Sequence, residues 1–328
     1  MTQKEFESIW YDASDSVLCH TSGSTGTPKD IYLDKSMMKE SAGRTNEFFG
    51  INAGSRLHTC LDFQYIASKM MLVRAAEAGC VLTSEAPSNR PLESADLERE
   101  ISLLSVVPSQ MQFLLERQDS LKAVRTVLIG GSPIPSVLRR AIALSRFDAW
   151  ESYGMTETAS HIALRKVTAD ASAPFVALPG IKVSASGDGC LVISLPGCAD
   201  IVTTDIAEVL SDSEFRILGR ADNCIISGGI KIIPEQLEQM LGPFVAFPYC
   251  ISSVADDKWG ERLVMVVEKG DSVLTDDIVC KAVSLRLAQY KKMLDLGVKT
   301  PKEVVCVSRL PLLANSKVDR RALKSMLT

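Results

Sequence analysis

A ten-residue stretch near the start of the chain has the composition of a loop that binds phosphate. It reads His20-Thr21-Ser22-Gly23-Ser24-Thr25-Gly26-Thr27-Pro28-Lys29 and lies between two short apolar runs, 17–19 and 31–33, which predict strands. Glycines let the backbone adopt positive φ and approach a ligand closely. Backbone N–H groups and hydroxyls can then surround phosphate oxygens, while the lysine adds a positive charge. The spacing differs from that of a Walker A loop, because the glycines are three apart and proline precedes the lysine. A solvated linker is the alternative.

Two further motifs are candidates for ligand contacts, and the first comes after a predicted strand, where parallel sheets bind their ligands. The apolar run 124–129 leads into the turn Gly130-Gly131-Ser132-Pro133. The second motif, Ser152-Tyr153-Gly154-Met155-Thr156-Glu157, combines an aromatic ring, hydroxyls and a carboxylate. The alternative for this motif is a helix start capped by threonine.

Alternating helices and strands must position these motifs. Helices are predicted near 34–50, 63–79, 109–118 and 136–144, and strands near 57–61, 79–83, 103–107 and 124–129. This alternation predicts an α/β fold with a doubly wound, mainly parallel sheet. Glycine and proline punctuate short β-rich segments over 175–218, which predicts a small, antiparallel, β-barrel-like subdomain. The remaining pattern predicts a compact α+β domain, with helices near 234–241 and 275–294 and strands near 244–254, 261–267 and 303–307.

Composition argues against several classes of function. The chain has 328 residues, 46% hydrophobic and 23% charged, which is ordinary for a protein with buried cores. A net charge of −4 is not the footprint of a nucleic-acid-binding protein. No apolar run has the length of a membrane span, and residues 1–10 lack the apolar segment of a signal peptide. Nine dispersed cysteines predict reduced thiols and a cytoplasmic location, and three histidines argue against a histidine-rich metal site.

In their order along the chain, the motifs resemble those of the adenylate-forming (AMP-binding) enzyme superfamily, which includes acyl-CoA synthetases, luciferases and peptide-synthetase adenylation domains. The ten-residue stretch resembles the family's phosphate loop, 153–157 its Tyr-Gly-x-Thr-Glu core and 203–205 its Thr-Gly-Asp. The segment 219–238 resembles its Gly-Arg-x-Asp…Gly-Gly…Pro-x-x-Ile-Glu hinge, and 311–320 its terminal Pro-x-x-x-x-Gly-Lys-x-x-Arg. Three residues stand where the family usually has glycine: Asp30, Thr204 and Ser316.

The resemblance implies a role for each matched residue, with ATP, Mg²⁺ and the substrate coenzyme A as the small molecules. Thr156 contacts phosphate, Glu157 holds Mg²⁺, Lys317 is the catalytic lysine, and Asp222 is the hinge between domains. The residues implied in phosphate binding are Thr21, Ser22, Gly23, Ser24, Thr25, Gly26 and Lys29. Those implied in binding the rest of the nucleotide are Gly131, Ser132, Pro133, Ser152, Tyr153, Gly154, Asp205 and Arg220. Those implied in CoA binding are Gly228, Gly229 and Lys231.

The helix predicted over 63–79 carries two basic residues, Lys69 and Arg74, among apolar neighbours. Either both charged ends reach solvent, or one of them faces an acidic substrate. This helix and the run Tyr-Gly-Met-Thr-Glu-Thr-Ala-Ser-His look most like the short bacterial o-succinylbenzoate–CoA ligases of menaquinone biosynthesis. By that resemblance the second carboxylate of the acid meets a cation, with Arg74 favoured over Lys69, and His161 belongs to the acyl pocket.

The resemblance also divides the chain into domains. It implies a large nucleotide- and acyl-binding domain over 1–220, which includes the β-rich subdomain at 175–218, and a small mobile C-terminal domain over 221–328. Family members usually carry another subdomain before the phosphate loop, and we expect most of it to be missing here.

The implied activity joins an acid to CoA through an acyl-adenylate. Three alternatives stay open: another aryl- or acyl-CoA ligase, an adenylation enzyme that loads a carrier protein, and a non-catalytic nucleotide-binding remnant. The partners expected are small molecules, without nucleic acid or an integral membrane segment, and a homodimer is left open.

Overall fold

A computed structural model of the protein describes residues 1–20, 29–93, 95, 97–293, 300–313 and 318–327. The predicted phosphate-binding residues 21–26 and the predicted catalytic Lys317, together with Ser316, lie outside the described residues. The chain forms two units. Unit 1 contains Met1–Ser184, Ile193–Ile201 and Leu210–Arg216, and unit 2 contains Ala185–Val192, Val202–Val209 and Ile217–Thr328.

Unit 1 opens with a helix and a hairpin and continues as alternating strands and helices. Its elements in chain order are α1 (Gln3–Trp10), β1 (Ser16–His20), β2 (Asp30–Asp34), α2 (Lys35–Phe49), β3 (Arg56–Thr59), α3 (Ile66–Ala78), β4 (Val81–Ser84), β5 (Leu103–Val106), α4 (Pro108–Glu116), β6 (Thr126–Ile129), α5 (Ser136–Ala143), β7 (Asp148–Met155), β8 (Ser160–Lys166) and β9 (Phe175–Ala177). Parallel pairs join β4-β3-β5-β6-β7, and β8 and β9 extend the sheet with antiparallel pairs. The predicted α/β fold with a mainly parallel sheet is confirmed.

Two apolar clusters hold unit 1 together. In one, alternate residues of β5 and β6 meet the buried faces of α4 and α5, as the period of two in strands requires. Its central members are Leu104, Val106, Val127, Ile129, Met111, Leu114 and Ile142. In the other, α1, α2 and α3 pack against the β1–β2 hairpin, with Phe6, Trp10, Val17, Leu33, Met38 and Met70. The second cluster therefore supports both ends of the predicted phosphate loop.

The β-rich segments predicted over 175–218 are present as β9 and four more strands, but they do not close into a barrel. These strands are β10 (Lys182–Ala185), β11 (Cys190–Ser194), β12 (Ile201–Val209) and β13 (Glu214–Arg220), and their residues are divided between the two units. Their order is β10-β11-β12-β13, and β13 pairs with β9. Because β9 already has β8 on its other edge, it offers no edge to which β10 could pair.

Unit 2 surrounds a second sheet with helices. Its further elements are β14 (Ile225–Ser227), β15 (Ile230–Ile232), α6 (Pro234–Leu241), β16 (Tyr249–Asp256), β17 (Gly260–Glu268), α7 (Asp276–Met293), β18 (Glu303–Val307) and α8 (Arg320–Met326). The strand order is β15-β14-β17-β16, with β18 parallel to β17. Leu263 and Met265 of β17 pack with α6 and α7, whereas Val264 and Val266 pack with Leu323 of α8. Because successive side chains of β17 point to opposite faces of the sheet, this one strand contributes to two separate apolar cores. In the described part of the chain no helix is long and apolar enough to cross a membrane.

Gly154 marks a bulge between β7 and β8. Tyr153 is opposite Ala163, but the next residue, Gly154, is opposite His161, so the register shifts by one residue. A β-carbon on Gly154 would overlap the backbone of Ser160 and His161. Glycine is therefore required here by the close approach of another backbone.

We expect Gly154→Ala to lower the free energy of unfolding by about 1–3 kcal/mol or more, because backbone atoms cannot move aside as a side chain can. The control is Gly43→Ala in α2, where a β-carbon would meet nothing within 4 Å. Removing a helix-interior glycine should stabilise the protein by up to about 1 kcal/mol. Urea unfolding of both variants measures the difference, and equal midpoints would contradict the packing argument.

Candidate active site

The hairpin of β1 and β2 presents the ends of the predicted phosphate loop. Its last cross-strand pair is His20 with Asp30, and His20 Nδ1 lies 2.7 Å from Asp30 Oδ1. Asp30 is the residue that stands where the family usually has glycine, and a free carboxylate would repel phosphates. The imidazole beside it gives that carboxylate a partner within the protein. Lys29, which precedes Asp30 in the chain, is exposed.

Lys69 and Arg74 are both buried, so the expectation that their charged ends reach solvent was wrong. The side chain of Lys69 is 0% exposed and that of Arg74 is 1% exposed. Lys69 Nζ donates to the carbonyl of Leu18 at 2.8 Å and lies 5.7 Å from the ring centre of Phe6. Lys69 therefore stabilises β1 just before the predicted phosphate loop, and its acyl-binding role stays a prediction.

Arg74 is enclosed by neutral groups. Its Nη2 donates to Ser160 Oγ at 3.0 Å and lies 3.4 Å from His161 Nδ1, and Nη1 donates to Met71 Sδ at 3.6 Å. Its Nε has no hydrogen-bond partner among the described residues. Burial lowers the pKa of the Arg74 guanidinium to about 9, which leaves it charged at neutral pH. The structure thus brings the predicted acyl residues Arg74 and His161 together and directs Lys69 elsewhere.

A cavity of about 180 Å³ lies within unit 1 beside this cluster. His161 lines it, and so do Ser41 and Arg44 of α2 and Thr158, which precedes β8. The rest of the lining combines the polar and small residues Asp34, Ser36, Glu40, Gly197 and Cys198 with the apolar side chains Met37, Ile162, Ile181, Leu195 and Pro196. Charged groups, hydroxyls and apolar side chains therefore share the wall of this cavity, which can hold a small molecule.

Tyr153, predicted to stack on adenine, belongs to an aromatic group in unit 1. Its ring centre is 5.8 Å from that of Phe175 and 5.2 Å from that of Phe215. Both distances fall in the range of favourable aromatic pairs. Arg165 belongs to β8, the strand beside β7, and its guanidinium lies 4.3 Å from the ring centre of Phe175. These contacts hold the half-buried Tyr153 ring in one orientation.

Glu151 anchors the strand that carries Tyr153, and the sequence analysis assigned it no role. Its buried carboxylate pairs with Arg139 of α5 and with Arg165 Nε of β8, the latter at 2.8 Å. Its position, two residues before the predicted adenine-binding Tyr153, could have drawn attention to it. The partners could not be identified, because Arg139 and Arg165 lie 12 and 14 residues away.

The other predicted nucleotide residues of unit 1 lie on two turns. Ser152 Oγ donates to the carbonyl of Ile129 at 3.1 Å, which ties β7 to the end of β6, where Gly131, Ser132 and Pro133 follow. Gly131 has φ of +86°, as the turn requires. Thr156 and Glu157 occupy a 3-10 turn, with Thr156 buried and Glu157 exposed. A single exposed carboxylate beside a hydroxyl suits Mg²⁺ bound through phosphates and waters.

Four predicted or substituted residues meet in unit 2. Arg220 is paired with Asp205 at 3.3 Å and with Asp222, the predicted hinge residue, at 2.9 Å. Its Nη2 also donates to Thr204 Oγ1 at 2.6 Å. Thr204 is thus a substitution with a defined contact, because its hydroxyl helps to orient Arg220.

The two glycines predicted to bind CoA form the turn between β14 and β15. Gly228 and Gly229 have φ of +57° and +77°, and Ser227 pairs with Ile230 across them. Positive φ at both central residues defines a type I′ hairpin turn. A β-carbon on Gly228 would lie 2.6 Å from the Trp259 ring, whereas one on Gly229 would meet nothing within 4 Å. The open side of this turn is therefore at Gly229, with Lys231 exposed on β15.

Comparisons with known proteins agree with this arrangement. Residues 5–185 match the family described as AMP-binding enzyme. The chain is 27% identical to a 2-succinylbenzoate–CoA ligase of Bacillus cereus, over 94% of this chain and 69% of that protein. A solved acyl-CoA synthetase (AMP-forming)/AMP-acid ligase II-like protein from Dyadobacter fermentans is 30% identical, with a TM-score of 0.62 over 99% of this chain and 93% of that one. The o-succinylbenzoate CoA synthetase of Bacillus subtilis, solved with the acyl-adenylate intermediate OSB-AMP, shares the fold at 23% identity, with a TM-score of 0.78 over 94% and 68%.

We expect Glu151→Gln to lower the free energy of unfolding by about 3–5 kcal/mol, because it leaves two guanidinium groups without their buried carboxylate. Asp148→Asn is the matched control on the same pair of strands, since Asp148 pairs with Lys166 and both side chains are more than 40% exposed. Breaking that surface pair should cost about 0–1 kcal/mol. Urea denaturation of both variants measures the loss in free energy of unfolding. Similar losses in the two variants would mean that Glu151 does not anchor these strands through buried ion pairs.

Proposed function

The chain belongs to the AMP-binding enzyme family, and on that premise we propose that it is an AMP-forming acid–CoA ligase whose acid is o-succinylbenzoate. The observation that carries the choice of acid is Arg74, a buried cation that contacts only neutral groups among the described residues. A buried charge is costly unless it is paired. A substrate with a second carboxylate would supply the missing partner.

The cavity beside Arg74 supports the same choice. It has a volume of about 180 Å³, and its lining combines apolar side chains with His161 and Ser41, with Asp34, and with Arg44, which is paired with Glu40. An aromatic acid can place its ring against the apolar wall, while its succinyl carboxylate lies near the guanidinium. The 2-succinylbenzoate–CoA ligase relatives, which act on this acid by name, add support from the sequence.

The proposed reaction has two half-reactions. In the first, an oxygen of the substrate carboxylate attacks the α-phosphorus of ATP and pyrophosphate leaves, which yields the acyl-adenylate. Lys29 and the loop before it hold the phosphates, and Lys317 stabilises the charge that develops between the carboxylate and the α-phosphate. In the second, the CoA thiolate attacks the acyl carbonyl carbon and AMP leaves. No covalent enzyme intermediate is needed, because orientation and charge stabilisation carry the catalysis.

Five other residues of the candidate site have a proposed task. Tyr153 stacks on adenine, Asp205 accepts hydrogen bonds from the ribose hydroxyls, and Arg220 orients that carboxylate. Glu157 would hold Mg²⁺, which when bound neutralises charge on the phosphate oxygens. Asp222 is proposed as the hinge that exchanges Lys317 for the Gly229 turn between half-reactions. The domain limits 1–220 and 221–328 and a cytoplasmic location also stay predictions.

A substrate panel in ATP–pyrophosphate exchange tests the proposal as a whole. We expect exchange with o-succinylbenzoate to exceed exchange with benzoate or short fatty acids, and AMP release to require free CoA. Preference for another acid would retain the ligase and overturn the substrate. Release of AMP only with a carrier protein, or no exchange with any acid, would instead favour the carrier-loading enzyme or the non-catalytic remnant.

We expect Arg74→Met to lower kcat/KM for o-succinylbenzoate by about 30-fold or more, since removing one partner of a buried charge pair typically costs about 2–5 kcal/mol. Benzoate, which has no second charge, should be affected little or should improve. Lys69→Met is the comparison, because Lys69 contacts the Leu18 carbonyl and should alter both acids alike. Parallel losses for both acids in Arg74→Met would remove the argument for a dicarboxylate pocket.

We expect Lys317→Ala to slow adenylate formation by about 10²–10³-fold or more, the scale for losing one charge-stabilising donor. Conversion of preformed acyl-adenylate to thioester should be nearly unchanged, because the lysine is proposed to act only in the first half-reaction. Lys324→Ala serves as the control, since Lys324 pairs with Glu261 on the surface of unit 2 and has no proposed role. Equal loss in both half-reactions would refute the assignment of Lys317.

A further inference from the structure

We infer that His161 is a positioning residue that holds Arg74 with a neutral acceptor, so that the guanidinium keeps a whole positive charge for the second carboxylate of the substrate. The inference rests on the proposed function and deepens it. It makes His161 act on the substrate through Arg74, and it makes discrimination between dicarboxylic and monocarboxylic acids depend on which tautomer His161 adopts.

The hydrogen bonds around His161 select one tautomer. Thr45 Oγ1 donates its single hydrogen to the carbonyl of Ser41 at 3.1 Å. The same oxygen lies 3.1 Å from His161 Nε2, and because its hydrogen is already used it must accept a hydrogen bond from this nitrogen. Nε2 then carries the imidazole hydrogen, and Nδ1 has a lone pair that faces Arg74 Nη2 at 3.4 Å. The opposite tautomer would place an N–H against a guanidinium N–H.

The charge state of His161 matters as much as its tautomer. An imidazolium would have no lone pair for Arg74 and would repel it. Burial, together with the positive charge of Arg74, holds the pKa of His161 well below its usual value, so the ring is neutral at the pH at which the enzyme would work. A carboxylate in the same place would neutralise Arg74 and compete with the substrate. A neutral acceptor is the choice that orients the guanidinium without consuming its charge.

The backbone around His161 is held in an unusual conformation that keeps these contacts aligned. Ala159 and Ser160 have φ of +50° and +102°, values that non-glycine residues rarely adopt. Ser41 Oγ donates to the carbonyl of Ala159 at 2.9 Å, so α2 fixes this turn from one side. Ser160, held in the turn, accepts from Arg74 Nη2 at 3.0 Å. Backbone strain of this kind persists only where surrounding contacts determine it, and it often accompanies a functional site.

The substrate class that follows is an aromatic or acyl acid with a second carboxylate at the far end from the reacting one. His161 also lines the cavity of about 180 Å³, so the group that orients Arg74 stands at the wall of the pocket that the acid would enter. The measured quantity is the preference ratio, kcat/KM for o-succinylbenzoate divided by kcat/KM for benzoate.

The first test compares two substitutions of His161. In His161→Gln the uncharged amide offers a carbonyl oxygen that can accept from Arg74 and an NH2 group that can donate to Thr45, so the preference ratio should stay within about threefold of wild type. In His161→Glu the new carboxylate pairs with Arg74, and the ratio should fall by about 30-fold or more, mainly through KM for o-succinylbenzoate. Equal ratios in the two variants would overturn the inference.

The second test avoids a buried charge and does not alter His161. Thr45→Val removes the hydroxyl that fixes the tautomer while keeping the side-chain shape, and Thr45→Ser keeps the hydroxyl. We expect the preference ratio to fall about fivefold or more in Thr45→Val, because one hydrogen bond is lost. The ratio should be retained in Thr45→Ser. An unchanged ratio in Thr45→Val would overturn the tautomer argument even if His161→Glu failed to fold.

Failure of the inference can be distinguished from failure of the proposed function. If Arg74→Met loses the preference for o-succinylbenzoate while His161→Glu and Thr45→Val retain it, the dicarboxylate pocket stands and the role of His161 is wrong. If the wild-type protein shows no preference for o-succinylbenzoate over benzoate, the proposed substrate is wrong, and the inference falls with it.

Discussion

The burial of one guanidinium without a carboxylate constrains much of unit 1. Removing a charge from water is expensive, and the cost must be offset by hydrogen bonds that only several elements together can provide. For Arg74 of α3 these come from Met71 of the same helix and from Ser160 and His161 of β8. Helix α2 then fixes the acceptors through Thr45, which bonds to His161, and through Ser41, which bonds to Ala159. The packing of α2, α3 and β8 and the strained turn before β8 all serve this arrangement.

Three other arginines, buried or partly buried, are paired with acids among the described residues. Arg139 and Arg165 share the carboxylate of Glu151 in unit 1. In unit 2, Arg320 binds both oxygens of Glu238 at 2.7 and 2.9 Å, and the charge of Glu238 raises the pKa of Arg320 despite its burial. Paired guanidiniums hold elements together and leave little charge for a ligand. Pairing therefore distinguishes these three arginines from Arg74, whose contacts among the described residues are all with neutral groups.

The residues that replace the family's glycines are tied into local contacts wherever the structure describes them. Asp30 contacts His20 at the end of the β1–β2 hairpin, and the Thr204 hydroxyl accepts a hydrogen bond from Arg220. In each case the added side chain is engaged by a residue close to it in the fold, which limits its effect on bound phosphate or ribose. These contacts support catalysis over a degenerate, non-catalytic remnant, because a decaying site has no need of compensating partners.

Much of the fold could be predicted from local pattern. Short apolar runs predict strands that are buried on both faces, and longer apolar runs predict helices, so β3, β5, β6 and the helices between them were predicted within a few residues of their observed ends. The order of the motifs indicated the family. Closure of the β-rich segments into a barrel was the error. Strand pairing depends on which edges are already occupied, and in this fold β8 and β13 occupy both edges of β9.

The candidate active site also combines features that the sequence predicted with features that only the structure shows. The sequence by itself determined which chemical groups are present: a phosphate-loop composition, Tyr153, Glu157, the Arg220 segment and two basic residues on one helix. Only the tertiary structure decided what each group contacts. Lys69 and Arg74 are five residues apart on α3, yet one bonds to the Leu18 carbonyl and the other to Ser160, 86 residues away. Glu151 was overlooked because its partners are distant in sequence. Burial and hydrogen bonding between distant segments set charge state and orientation, and no local pattern encodes them.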